Sequence, residues 1–229
     1  MVSLGETPII ERLLDVLSKV KLTKILIVTG YRSEKLKNKL AGRDVQIIHN
    51  PRFPTSNMVY SLFCAEKEFN EDLIISYTDI VYSRAVLEKI YASESPLSIV
   101  IDQNWESYWK LRMDNPLDDV ETLKIDQQGY IMELGKKTDN LADIEGQYIG
   151  LLKINHSLLP RVKNFYHSLD RKLIYDGQNF NNMYLTTFLQ LLIDHGVKAK
   201  PVFINGGWVE IDSLNDLDIY NKNPDFFYL

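Results

Sequence analysis

The chain has 229 residues, 45% hydrophobic and 25% charged, with 26 lysines and arginines against 31 aspartates and glutamates. That is the composition of a globular domain with room for a sizeable core, and a net charge of −5 argues against a nucleic-acid binder held by phosphate contacts. No apolar run reaches the roughly 18–20 residues that span a bilayer, no secretory h-region follows Met1, and the single cysteine, Cys64, fits a reducing cytoplasm and a place in the core.

The opening MVSLGETPIIERLLDVLSK predicts a helix. Thr7 can cap it, Pro8 suits its first position, and Ile9, Ile10, Leu13, Leu14 and Leu17 form one apolar stripe. KILIVTG (24–30) is patterned as a buried parallel strand, SEKLKNKLAG as a charged helix closed by Gly42, and DVQIIHN (44–50) as a second buried strand. After the loop PRFPTS, apolar positions in NMVYSLFCAEKEF recur at helical spacing. DLIISYTDIVYS (72–83) gives a third strand, whose end is placed at Asp79; RAVLEKIYAS is the next helix and PLSIVIDQ (96–103) the next strand.

From about residue 104 the pattern changes. WESYWKLRMDNPLDD is aromatic and irregular, and VETLKIDQQGYIMELGKK predicts a hairpin turning at Gln128–Gly129. QYIGLLKIN (147–155) is a strand, HSLLPRVKNFYHSL and NNMYLTTFLQLLIDHG are helices, and the chain closes with VKAKPVFING, WVEIDS and a short helix LNDLDIYN. The alternation predicts an α/β fold with a mixed, mostly parallel sheet, one domain over 1–229, and a hairpin-bearing subdomain at about 104–150.

Ligands of open parallel sheets bind beyond the carboxyl ends of the strands. That rule picks out Gly30, Asn50, Asp79 and Asp102. Asp212, after WVEI and before the last helix, stands in a similar place, although Asp212 or Ser213 could equally be the cap of that helix, as Ser83 competes with Asp79 for another. Two such carboxylates could hold Mg²⁺, which takes one or two protein carboxylates and leaves its other positions to phosphate and water. The histidines, at 49, 156, 167 and 195, are scattered and are taken as structural. No G-x-G-x-x-G occurs, which speaks against a dinucleotide cofactor.

Taken in series, TSNMVYSLFCA, YTDIV, LKIDQQGYIMELGKK, EGQYIGLLKI and WVEIDSLNDL resemble the sugar-phosphate nucleotidyltransferase superfamily, and within it small bacterial cytidylyltransferases of the phosphocholine type. The resemblance implies a three-layer Rossmann-like fold and a reaction in which a small phosphorylated or phosphonylated metabolite attacks CTP and expels pyrophosphate, in the service of cell-surface polymers. Asp79 and Asp212 match the family's Mg²⁺-binding aspartates, and Lys136 a lysine beside the acceptor phosphate, with Lys137 as an equally placed rival. Asn57 and Ser61, one helical turn apart, could face the nucleotide, or Asn57 could simply cap its helix. Asp102 could contact substrate or ribose. Trp105, Tyr108 and Trp109 could wall off a cationic acceptor, but their spacing favours packing. The resemblance also implies that MVSLG is the tail of a segment normally preceded by a first strand and a phosphate-cradling G-x-G-x-R loop, so the domain is expected to be N-terminally incomplete. CTP and the metabolite are the expected partners, a homodimer the conceivable assembly. A sugar-1-phosphate nucleotidyltransferase, a nucleotide-sugar glycosyltransferase and a non-catalytic nucleotide-binding module are the alternatives.

Overall fold

The computed structural model describes residues 1–113 and 115–223. Two short strands, β1 (Ser3–Leu4) and β2 (Thr7–Pro8), pair antiparallel before α1 (Ile9–Leu17). Thr7 is therefore not the cap; its backbone pairs with Leu4, and Pro8 occupies the N-cap with no side-chain hydrogen bond. The predicted stripe does turn inward, with Ile9, Leu13 and Leu14 buried. β3 (Leu26–Thr29), α2 (Ser33–Lys39) and β4 (Gln46–His49) make a parallel βαβ unit, followed by α3 (Met58–Phe63). The stretch expected as one strand over 72–83 is two: β5 (Leu73–Ser76) and β6 (Ile80–Tyr82), which join different sheets. α4 (Arg84–Tyr91) and β7 (Leu97–Asp102) follow, and the aromatic segment expected to be irregular contains a regular helix, α5 (Trp105–Arg112).

The hairpin is present as β8 (Glu121–Ile125) and β9 (Ile131–Lys137), with Gly129 in its turn at φ 77°, where a side chain is disfavoured. Then come β10 (Gln147–Ile154), α6 (Leu159–Ser168), the small hairpin β11 (Ile174–Tyr175) and β12 (Gln178–Asn179), α7 (Leu185–Asp194), β13 (Ala199–Ile204), β14 (Trp208–Glu210) and α8 (Leu214–Lys222).

Six strands form the main sheet in the order β5-β10-β7-β13-β9-β8. Its neighbours are mostly antiparallel, contrary to the expectation of a mostly parallel sheet: only β7 and β13 pair parallel. The crossover logic is not violated, because β5, β7 and β13 do run the same way. β10 lies between β5 and β7 and runs against both. The sheet is the middle of three layers. Leu97, Ile99 and Ile101 of β7 face a core shared with α3, α6 and α7, while Val100 faces a second core with α1, α4, α5 and α8.

β3 pairs only with β4, and β5 only with β10, among the described residues. The approaches to these two strands are tied together: Thr23 Oγ1 donates to Glu71 Oε2 at 2.6 Å, and Lys24 Nζ meets Glu68 Oε2 at 2.7 Å. All four residues of β5 are only half-buried, whereas every residue of β7 is buried. No helix of the described residues is long and apolar enough to cross a membrane.

Candidate active site

β6 and β14 form a two-stranded antiparallel ladder in which Ile80 pairs with Glu210 and Tyr82 with Trp208. The main-chain N–H of Ile211 extends the ladder by donating to the Asp79 carbonyl at 2.9 Å. Asp79 sits where the chain leaves the main sheet after β5 and enters this ladder, and Asp212 stands where the partner strand ends. Asp79 is exposed as a residue although its carboxyl is partly desolvated, and no other residue donates to that carboxyl among the described residues. Its pKa is held above the usual aspartate value, chiefly by partial desolvation and then by the charge of Asp212, with Arg112 opposing.

Arg112 organises the other wall. Trp105, Tyr108, Trp109 and Arg112 recur at i, i+3, i+4 and i+7 on α5, so one face carries all four inward. The guanidinium is 1% exposed and reaches three carboxylates: Nη1 to Glu210 Oε2 at 2.9 Å, Nη2 to Asp212 Oδ2 at 2.8 Å, and Nε to Asp216 Oδ1 at 3.0 Å. It lies 5.3 Å and 5.6 Å from the ring centroids of Tyr108 and Trp109. Two tyrosines pin the strand behind: the Glu210 N–H donates to the Tyr108 hydroxyl at 2.7 Å, and the Tyr220 hydroxyl donates to the Glu210 carbonyl at 2.9 Å. The cap of α8 is Ser213, in a capping box with Asp216, which leaves Asp212 outside that role.

One guanidinium against Glu210, Asp212, Asp216 and nearby Asp79 leaves the mouth negative. Burial, then the charge of Asp212, pushes the Glu210 carboxyl up to about 7. The patch continues through Asp119 to Glu121, which burial and the charge of Asp119 also raise to about 7, with Lys137 opposing. Tyr77 lies between the two halves, feeling the charges of Glu121, Asp79 and Glu210. These residues fit a divalent cation. Asp79 is unengaged by other side chains, Asp212 keeps Oδ1 without a hydrogen bond among the described residues, and the surplus negative charge favours a cation. No group of three or more His, Cys, Asp or Glu side chains at metal-ligand geometry occurs among the described residues, so the rest of such a cation's shell would be phosphate and water.

Residues 1–140 match the MobA-like NTP transferase domain family. The chain belongs to that family. This nucleotidyltransferase is 42% identical over 226 residues to the CTP:phosphoglutamine cytidylyltransferase of Campylobacter jejuni, an alignment covering 96% of this chain and 89% of that one. It is 32% identical over 80 residues to the choline-phosphate cytidylyltransferase of Haemophilus influenzae, covering 35% of this chain and 34% of the other. In fold it is similar to the inositol-1-phosphate CTP transferase from T. maritima, with a TM-score of 0.70 and 17% identity over 93% of this chain and 82% of that one.

The remaining expected residues of the nucleotidyltransferase fall into two groups. Asn57 caps α3, its Oδ1 accepting from the Met58 N–H at 2.8 Å, and the Ser61 hydroxyl accepts from Asn50 Nδ2 at 3.0 Å. Both thus shape the loop after β4, whose Phe53 packs so closely on Gly30 at the end of β3 that a Cβ on Gly30 would come 2.2 Å from the Phe53 Cβ. Asp102 does not reach the mouth. It is fully buried, accepting from the N–H groups of Asn104 and Gly206 at 2.9 Å and from Trp208 Nε1 at 2.8 Å. Trp105 and Trp109 are packing residues of the second core and not an acceptor wall, 6% and 3% exposed, with Trp109 centred 6.1 Å from Trp208. Lys136 pairs with Glu133 at 2.8 Å, while its rival Lys137 stands opposite Glu121 in the hairpin. Arg112, Glu210, Asp119 and Glu121 were not expected; the apolar stripe that ends in Arg112 was the one sequence signal for any of them.

Proposed function

We propose that this nucleotidyltransferase transfers CMP from CTP to the phosphate of a small metabolite with release of pyrophosphate. The observation that carries this is the meeting of Asp79 and Asp212 on adjacent strand ends, at one negative mouth. An acceptor phosphate oxygen forms the new bond to the α-phosphorus of CTP as the bond to the pyrophosphate oxygen breaks. The nucleophile is already an anion, so the protein's task is orientation and charge management rather than proton abstraction. Mg²⁺ held by Asp79 and Asp212 would neutralise charge on the triphosphate. Lys137 is the better-placed of the two hairpin lysines to meet an acceptor phosphate, since it shares the Glu121 side of the hairpin. The likeness to the phosphoglutamine enzyme makes phosphoglutamine the first acceptor to try.

The edges of β3 and β5 left unpaired among the described residues support a further element of this proposal: the active domain contains one more strand between them, followed by a G-x-G-x-R loop that cradles the triphosphate. The setting proposed is the cytoplasm, where the product feeds surface-polymer decoration, and a homodimer is the assembly to test by light scattering.

The test is a pyrophosphate-release screen of the chain, and of the chain extended by that strand and loop. Four NTPs are run with Mg²⁺ against phosphoglutamine, phosphocholine, aminoethylphosphonate and sugar 1-phosphates. Release with CTP and a non-sugar acceptor is expected. Release with sugar 1-phosphates alone would make it a sugar nucleotidyltransferase, and CTP binding without release in either form would make it a binding module.

A further inference from the structure

Arg112 stands out because burying a guanidinium among carboxylates is a poor way to gain stability; an apolar packing of equal volume does as well or better. Its placement makes sense if the arrangement itself is the product. Two of its nitrogens hold Glu210 Oε2 and Asp212 Oδ2 at 2.9 and 2.8 Å, and the third bond, from Nε to Asp216 Oδ1 at 3.0 Å, fixes the guanidinium to the start of α8. Asp216 in turn accepts from the backbone N–H groups of Asp212 and Ser213 at 3.1 and 2.8 Å, so the base of the Asp212 side chain is held from the same point. The Asp212 side chain is 50% exposed, and Arg112 is the one hydrogen-bond partner of its carboxylate among the described residues. With Oδ2 taken by Arg112, Oδ1 is the oxygen left without a hydrogen bond among the described residues.

Resting on the metal site proposed above, we infer that Arg112 is a positioning residue. It locks Asp212 in the one rotamer that presents Oδ1 beside Asp79, and it keeps the four-carboxylate mouth from repelling itself apart. Positioning partners of this kind are worth about 10–100-fold in metal affinity. The prediction is specific to metal affinity, because the guanidinium is buried and has no path to nucleotide or acceptor.

The test is Mn²⁺ binding followed by electron paramagnetic resonance, on the unaltered protein, R112K, D212N and the double variant R112K/D212N, with melting curves for each. R112K is expected to bind Mn²⁺ about 10–100-fold more weakly, and to lower the rate at fixed Mg²⁺ in a way that excess Mg²⁺ restores. In the D212N background the same change should have no further effect on Mn²⁺. Should R112K fail to fold, D216N serves: it keeps Arg112 but frees its anchor, and the same loss of Mn²⁺ affinity is expected. Unaltered Mn²⁺ affinity in the folded variant, or equal losses with and without Asp212, overturns the inference and leaves the metal site standing. Absence of Mn²⁺ binding by the unaltered protein overturns both.

Discussion

Asp79 and Asp212 are joined by one rung of backbone: the Ile211 N–H donates to the Asp79 carbonyl at 2.9 Å, and the next residue is Asp212. The Asp79 side chain is unengaged by other side chains, whereas Asp212, half-exposed, is one of the three carboxylates that satisfy buried Arg112. Asp79→Asn and Asp212→Asn should each lower Mg²⁺-dependent turnover roughly 10²-fold or more. The melting temperature of Asp79→Asn should stay within a degree or two of the parent (about 0.5 kcal/mol for such a surface change). Asp212→Asn, which weakens a charge-assisted bond to buried Arg112, should cost about 1–3 kcal/mol. Initial rates and melting curves decide it; a variant with parental activity would take its aspartate out of the site.

Stability should fall as the solution is made more alkaline across the weakly acidic range. Glu210 and Glu121 have carboxyls raised from 4.5 to about 7, so between those values the folded chain holds protons that the unfolded chain has released. Their contribution is complete below pH 4.5 and is lost as pH rises through about 7. Urea midpoints of the parent and of Glu210→Gln at pH 5 and pH 8 check this. The variant should lose part of the parent's slope, and an unchanged slope would mean Glu210 is not the titrating group.

Trp109→Ala should cost about 3–5 kcal/mol, because the indole fills the second core against Tyr108 and Trp208 at centroid distances of 5.4 and 6.1 Å. Chemical denaturation measures it. A variant of parental stability with a raised acceptor KM would instead place the ring at the substrate.

Gly30→Ala should cost about 1–3 kcal/mol, since the new methyl would meet the Phe53 Cβ at 2.2 Å and push aside the loop that carries Asn50 and Ser56. Adding Phe53→Ala leaves that Cβ in place, so the double variant should stay impaired, whereas Phe53→Gly should relieve it. The KM for CTP is expected to follow the same order.

Much of this was legible in the chain because local rules govern it. The βαβ unit of β3, α2 and β4 is written in apolar runs ended by Gly30 and Asn50, and the hairpin turn in Gln128–Gly129. Asp79 and Asp212 could be singled out because both follow apolar strand patterns. Which strands β10 would lie between could not, as its apolar run is equally suited to any buried slot, and its insertion between β5 and β7 is decided by the whole core. Asp102 misled because a strand-end carboxylate looks the same whether it faces a ligand or the N–H groups of its own neighbouring loop. Arg112 was hidden for the opposite reason: a charged residue beside Met113 and Asn115 reads as surface, and only the helical stripe through Trp105 and Tyr108 turns it inward.

The place of β10 governs how the polypeptide can come off the ribosome. Both neighbours of β7, β10 and β13, are synthesised after it, at 147–154 and 199–204. Until residue 154 emerges, the most buried strand of the protein has two bare edges and nothing to pair with, a state that invites association with other nascent chains. A fragment cut near residue 140 would remain in that state permanently, and should be recovered as aggregate rather than as a smaller soluble enzyme.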